Sequence, residues 1–226
     1  MQLRELVYAP ASRQAAHAHD STSVSFVGRG GFDESAGGVK RTGVAGDVIV
    51  KPAGVVHEDV YGPAGAKMFT LVLDEDMGSY RWLFGGAPAA LFTRAIVEWR
   101  AGSAFEEVAV DLLAAIHDGR PRMRSPRMRE VAERVATTDV SVDALARDVS
   151  MHPVALARAF RREHGMSITC FRRRVRVRRA TSLLSAGDLS LADVALESGF
   201  TDQSHFCRIF KTEMGVTPTT FRALAV

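Results

Sequence analysis

The hydrophobic pattern changes character partway along the chain. Up to about residue 75, apolar positions come in short stretches, among them Ser23-Val24-Ser25-Phe26-Val27 and Asp47-Val48-Ile49-Val50. Turn-forming clusters separate them: Gly28-Arg29-Gly30-Gly31, Gly37-Gly38 and Pro52-Ala53-Gly54. Such stretches predict β-strands, and several at this spacing predict a small barrel or sandwich. The period then lengthens. Leu91, Ala95, Ile96 and Trp99, followed by Phe105, Val108, Leu112, Leu113 and Ile116, predict two helices over 89–100 and 103–117, turning at Gly102. Gly119 to Pro126 carries two prolines and several charges, which predicts a linker.

From Pro126 onward the pattern is helical throughout. The first helix is expected from Arg127 to Ala136, and Ser141 is expected to cap a second over Val142–Val149. Pro153 opens a third, which Gly165 ends, and Ser167 opens a long one reaching about Leu184. Ser190 caps Leu191–Ser198, Thr201 is expected to cap Asp202–Met214 before Gly215, and a short helix starts at Pro218. The expected domains are 1–80, a helical segment over 81–120, and 121–226.

Composition narrows the class. With 46% apolar residues among 226, each part can bury a core. Cys170 and Cys207 are the two cysteines, too few for a disulfide framework, and a redox role for them is a minor alternative. No apolar run approaches the roughly 18 residues of a membrane span, and Met1–Pro10 lacks an apolar signal core. A cytoplasmic protein with no membrane partner is expected. The net charge of +3 hides an asymmetry: residues 121–226 hold 18 Lys+Arg against 11 Asp+Glu, and the remainder holds 11 against 15. A basic half behind an acidic half suggests a polyanion partner, or else an arginine-rich solvated surface.

The basic half repeats itself. Arg158, Phe160, Glu163, Gly165, Thr169, Phe171 and Arg172 match Arg208, Phe210, Glu213, Gly215, Thr219, Phe221 and Arg222 at an offset of 50. Leu145-Ala146 matches Val194-Ala195 at 49. Each repeat has a short helix, a tight turn and a second helix, the ingredients of a helix-turn-helix. Met151 and Phe200 stand at the turns. Leu156 with Phe160, and Phe206 with Phe210, sit at i and i+4 on one face, leaving the opposite face polar. A plain duplicated bundle would explain the apolar positions but not Arg172, Arg173, Arg174, Arg176, Arg178 and Arg179, six arginines within eight residues. These are expected to reach phosphates, while Val175, Leu183 and Leu184 pack inward. At 1.5 Å per residue this helix, on the order of 25 Å long, would serve as a spacer between two groove-reading helices.

The stretch from Leu191 to Lys211, including Ala195-Leu196-Glu197-Ser198-Gly199-Phe200 and His205-Phe206-Cys207-Arg208-Ile209-Phe210, closely resembles the signature of the AraC/XylS family of transcription regulators. Its continuation Gly215-Val216-Thr217-Pro218-Thr219-Thr220-Phe221-Arg222 does so too, and the likeness covers about residues 125–223. The resemblance implies two helix-turn-helix units binding neighbouring major-groove segments of double-stranded DNA. Its base-facing positions fall on Gln203, Ser204, Cys207 and Arg208 in the second unit, and on Val154, Ala157 and Arg158 in the first. Gln and Arg offer bidentate contacts to adenine and guanine, whereas Val154 and Ala157 suit thymine methyl groups. Thr201, Lys211, Arg161, Arg174 and Arg176 are expected at phosphates. Cys207 is equally a small residue near the backbone, Arg161 a solvated one, and Arg158 and Arg208 structural.

In the first half, His17-Ala18-His19 resembles the His-x-His of the first cupin motif. Gly46 to His57, with Pro52-Ala53-Gly54 inside it, resembles the second. The resemblance implies a small jelly-roll barrel in which His17, His19 and His57 hold a small ligand or a divalent transition metal. Two departures weaken a metal: Ser23 and Val24 stand where a glutamate is expected, and Tyr61 where an Asn or His is. Asp20 and Glu58 are candidate substitutes.

The expected fold is thus α+β and multidomain: a cupin-like β-barrel (jelly roll) with linker helices, then an all-α tandem helix-turn-helix domain. The expected function is an effector-sensing DNA-binding transcription regulator and not an enzyme, so no catalytic residue is assigned. The alternatives are an N-terminal half that only dimerises, and a cupin metalloenzyme fused to a DNA-binding domain. Leu91, Ile96, Trp99, Leu112 and Ile116 are expected either to join two copies in a homodimer or to pack on their own barrel. RNA polymerase is a further partner if the protein activates.

Overall fold

The computed structural model describes residues 1–117, 125–187 and 189–225. These form strands β1 (Gln2–Tyr8), β2 (Arg13–His17), β3 (Thr22–Ala36), β4 (Val39–Val44), β5 (Asp47–Lys51), β6 (His57–Leu73) and β7 (Arg81–Phe84). The helices are α1 (Gly86–Arg100), α2 (Glu106–His117), α3 (Pro126–Thr137), α4 (Val142–Asp148), α5 (Pro153–His164), α6 (Ile168–Ala186), α7 (Leu191–Glu197), α8 (Gln203–Met214) and α9 (Pro218–Ala225). The expected linker lies mostly outside the described residues. Its last residue, Pro126, instead occupies the first turn of α3 behind the Ser125 cap, where a proline's missing N–H costs nothing.

The strands pair antiparallel in the order β1-β6-β3-β5-β7, with β2 added to β6 and β4 to β3. The long strands β3 and β6 pair along most of their length. Their register shifts between Val27 and Arg29 and again between Gly30 and Phe32, and such bulges bend a strand pair. Gly30 has φ +70°, and a Cβ there would lie 2.0 Å from the Gly65 carbonyl oxygen, so the bend requires glycine. On one side of it β3 and β6 are flanked by β1 and β5; on the other, by β2 and β4. The result is a curled sheet with an inner and an outer face. Val24, Phe26, Val48, Val50, Phe69 and Leu71 share the outer core with Phe92 and Ile96 of α1 and Leu112 and Ile116 of α2. Alternate residues line the inner face: Val27, Ile49 and Met68, joined by Phe32, Tyr61 and Trp82. Fully burying each large apolar side chain contributes roughly 1.5–3 kcal/mol. The side chains expected at a dimer contact are committed to this core: Ile96, Leu112 and Ile116 are buried, and Leu91 and Trp99 pack against them. Of the two readings open in the sequence, these residues take packing on their own sheet.

Two compact units result: Met1–Gly119 with Val177–Val226, and Arg120–Arg176. The grouping does not follow chain order, because α7, α8, α9 and the end of α6 share the outer-face core, through Val177, Leu184, Phe206, Phe210 and Phe221. Polar contacts add to it. Thr93 donates its hydroxyl to the Met214 carbonyl, and the Gly86 N–H donates to Glu213 Oε2 at 3.1 Å. The second unit has its own core of Met128, Val131, Val135, Leu145, Leu156, Phe160 and Ile168. There the Ser125 N–H donates to Glu163 Oε2 at 2.6 Å. Glu163 and Glu213, one repeat apart, thus each satisfy an orphan N–H at the start of a helix.

Candidate functional site

The repeat in the sequence is a repeat in local geometry. Ser141 and Ser190 cap α4 and α7, each accepting from the N–H three residues on at 3.2 Å. Both turns close alike: Met151 N donates to Ala146 O at 2.8 Å, and Phe200 N to Ala195 O at 2.9 Å. The left-handed residue is Ser150 (φ +51°) in the first and Gly199 (φ +83°) in the second. Gly165 and Gly215 end α5 and α8 with φ +73° and +75°. Phe200 is buried against Phe206, whose ring lies 5.5 Å from that of Phe210. Each unit is therefore a locked helix-turn-helix.

Thr201 does not cap α8. The cap is Asp202, whose Oδ1 accepts from His205 N at 2.7 Å and whose Oδ2 accepts from the Thr201 hydroxyl at 3.2 Å. A carboxylate outcompetes a hydroxyl here because it accepts from both sides and faces the positive helix end. These hydrogen bonds, the backbone N–H of His205 first, hold the Asp202 carboxyl below its usual value.

Gln203, Ser204, Arg208 and Lys211 of α8 are exposed, as is Thr201 just before it. Phe206, Phe210 and Met214 take the buried side of that helix. On α5, Val154, Ala157, Arg158 and Arg161 are exposed while Leu156 and Phe160 are buried. Cys207 is half-buried, and burial pushes its thiol up, away from a reactive thiolate.

The arginines of α6 differ from the expectation of a phosphate-facing cluster. Arg176 Nη2 lies 2.9 Å from Asp139 Oδ1, and Arg172 Nε lies 3.5 Å from the same atom. Arg178 pairs with Asp47 at 2.8 Å and Arg179 with Glu197 at 3.6 Å. Arg174 is half-buried. Consecutive arginines point around the whole helix, so several meet the protein's own carboxylates.

A second cluster lies in the sheet. β2 pairs with β6 so that His17 stands opposite His57. The Gly54 N–H donates to the His19 carbonyl at 2.9 Å, tying the two motif segments together. The ring centroids of His17, His19 and His57 are 4.3–5.2 Å apart. His17 Nδ1 is 2.8 Å from Ala15 O, and His57 Nδ1 is 2.9 Å from Val55 O. A carbonyl oxygen only accepts, so Nδ1 is the donor in both contacts. His19 is exposed, His17 half-buried and His57 buried. Burial, then the Lys51 charge, pushes His57 down to about 4, and burial lowers His19.

The expected substitute carboxylates are elsewhere. Glu58 turns away to Arg13 at 2.6 Å, and Asp20 is exposed. Tyr61 donates to Gln14 at 3.0 Å and stacks on Tyr8. Glu34 and Asp59, which sequence reasoning passed over, stand beside His57 instead. The signal was the period of two: Phe32, Glu34 and Ala36 share one face of β3, as His57 and Asp59 share one face of β6. Lys51 pairs with Glu34, and burial pushes the Glu34 carboxyl up to about 7 against the pull of Lys51.

Comparison with known proteins agrees with the helical geometry. Residues 145–224 match a family of helix-turn-helix domains. The arabinose operon regulatory protein of Escherichia coli (strain K12) is 30% identical over 122 residues, covering 52% of this chain and 42% of the relative. The HTH-type transcriptional activator RhaR of Escherichia coli (strain K12) is 34% identical over 84 residues, covering 37% and 30%. The matches thus span less than half the length of these relatives. ToxT from Vibrio cholerae O395 aligns over 99% of this chain and 98% of its own, at 11% identity and a TM-score of 0.42.

Proposed function

We propose that the whole chain, whose residues 145–224 are a helix-turn-helix domain of the AraC type, is a sequence-specific DNA-binding transcription regulator with an N-terminal sensor. The observation that carries this is the exposed stripe Gln203, Ser204, Arg208 and Lys211 on α8, directly after a locked turn. Its counterpart on α5 is Val154, Ala157, Arg158 and Arg161. Gln203 and Arg208 read adenine and guanine edges in the major groove, and Val154 and Ala157 meet thymine methyl groups. Thr201, Lys211 and Arg161 hold phosphates, with Arg174 and Arg176 adding to them. Arg176 can do so because its partner Asp139 is exposed, and an exposed ion pair is weak enough to exchange. Cys207 contributes shape at the groove. The curled sheet, with His17, His19 and His57 at one end, binds the effector. Action in the cytoplasm, homodimerisation and contact with RNA polymerase are further parts of this reading.

The test is selection of bound duplexes from a random library by the full chain. A preferred sequence that Gln203→Ala and Arg208→Ala each relax at separate positions supports the proposal. Retention of all sequences alike, unchanged by either variant, refutes it.

A further inference from the structure

Each recognition helix is braced by another helix, and the two braces match. Within one unit α3 lies against α5, and within the other α1 lies against α8. At the start of each brace a backbone N–H is donated to the same repeat position: Ser125 N to Glu163 Oε2, and Gly86 N to Glu213 Oε2. Counted from the donating residue, buried apolar side chains fall at +3, +6 and +10 in each brace. They are Met128, Val131 and Val135 on α3, and Ala89, Phe92 and Ile96 on α1. Both braces are also tied to the last residue of the recognition helix. His164 Nε2 donates to the Met128 carbonyl at 3.3 Å, and the Thr93 hydroxyl donates to the carbonyl of Met214, the equivalent of His164 in the second repeat.

The origin of the two braces differs. α3 belongs to the DNA-binding half, whereas α1 comes from the sensor half, and Gly86 stands 127 positions before the glutamate it meets. Two domains packed at random would bury apolar area, but would not reproduce the spacing, the glutamate and the terminal carbonyl together. The core is shared as well. Phe26 of β3 stacks on Phe92 with centroids 5.6 Å apart and meets Phe221 edge-on at 6.2 Å, and Phe221 lies 5.4 Å from Phe210 of α8. Phe160 and Phe171 form the equivalent 5.4 Å pair in the first repeat. The approach of α1 is close at one further point. A Cβ on Gly215 would lie 2.6 Å from the Ala90 carbonyl oxygen, whereas one on Gly165 meets nothing within 4 Å.

We infer that α1 is a working part of the second DNA reader: it sets the position of α8 as α3 sets that of α5, through Glu213, Thr93 and the close contact at Gly215. Glu213 and Thr93 are positioning residues. Both are buried, so they act through α8 and not at the DNA. The reading side of α8 stays open, since Gln203, Ser204 and Arg208 are exposed. The regulatory consequence is selective. A change in the sensor that moves α1 acts directly on α8, while α5 keeps its own brace. A sensor ligand achieves this only by binding two arrangements of α1 unequally. The state of the sensor therefore governs reading by the second unit more than by the first. The consequence for DNA rests on the regulator reading above; the bracing itself does not.

The experiment compares Gly215→Ala with Gly165→Ala in the full chain. The two glycines stand at φ +75° and +73°, so both variants carry the same left-handed backbone cost. Gly215→Ala alone also drives a methyl group into α1. Hydrogen exchange read by mass spectrometry should show the α8 amides of Gly215→Ala exchanging on the order of 10-fold faster than in the parent, with α8 unchanged in Gly165→Ala. On the selected duplex, Gly215→Ala should lose about 10-fold of its preference at the bases read by Gln203 and Arg208, and keep its preference at those read by Arg158. Thr93→Val should lose the same bases, and Thr93→Ser, which keeps the hydroxyl, should recover them. This pair carries the test if Gly215→Ala does not fold. Equal α8 exchange in the two glycine variants, or Thr93→Val behaving like the parent, would overturn the brace. Faster α8 exchange with base preference intact, or a loss spread evenly over both sets of bases, would overturn its part in reading. A parent without base preference would remove the regulator reading, and the exchange comparison would still decide the brace.

Discussion

Asp47, the first residue of β5, holds Arg178 of α6 across 131 positions of sequence, with Nη2 donating to Oδ2 at 2.8 Å. The same oxygen accepts from the Val44 N–H at 3.0 Å. Three residues along α6, the Thr181 hydroxyl donates to the Ala45 carbonyl. The turn between β4 and β5 is thereby fastened to the helix that leads into the second helix-turn-helix.

Asp47 positions more than it stabilises. Burial raises its carboxyl above 3.8, against the pull of Arg178, so ionising it in place is unfavourable. Asp47→Asn, which keeps an acceptor for Val44, should melt close to the parent. Asp47→Ala should lose about 1–2 kcal/mol through the unmet contacts. The sign with pH follows. A carboxyl raised in the folded state favours folding below 3.8, and that contribution is lost as pH rises through the raised value. Thermal melts of parent and Asp47→Asn over this acidic window should show the parent losing ground as pH increases.

Base reading by α8 predicts unequal losses. Gln203→Ala and Arg208→Ala should each cost about 1–3 kcal/mol on the selected duplex and little on random DNA. Fluorescence anisotropy with both duplexes measures this, and equal losses on the two would contradict base contact.

Phosphate contact predicts salt dependence. Each neutralised phosphate adds about 0.9 to the slope of log affinity against log salt. Lys211→Ala should lower the slope by about one without altering base preference. Because four of the α6 arginines already meet Asp139, Asp47 or Glu197, the total slope should fall short of what the arginine count suggests.

The first turn carries strain that the second avoids. Ser150 adopts φ +51°, the region where Gly199 sits in the other repeat. Left-handed backbone costs a side-chain-bearing residue roughly 1–2 kcal/mol, part of which glycine's greater unfolded freedom offsets. Ser150→Gly should therefore stabilise the chain by up to about 1 kcal/mol in chemical denaturation. Destabilisation would show that the serine side chain has a role of its own.

What the sequence determined by itself was local. Helix spacing, the caps Ser141 and Ser190 and the stops Gly165 and Gly215 act within a turn or two of chain, so the tandem repeat could be read directly. The three histidines were legible because His17-Ala18-His19 and the stretch from Gly46 to His57 resemble two cupin motifs. Tertiary structure alone decided which distant side chains meet. Glu34 reaches His57 and Asp59 only through the register of β3 on β6, and a slip of one residue would turn it to the other face. Asp139 and Asp47 claim arginines that linear charge counting assigned to phosphates. Leu112 and Ile116 had equal claims on a partner copy and on their own sheet until the packing of α2 settled the matter. Ion pairs and core contacts depend on which surfaces fold together, and no local pattern encodes that.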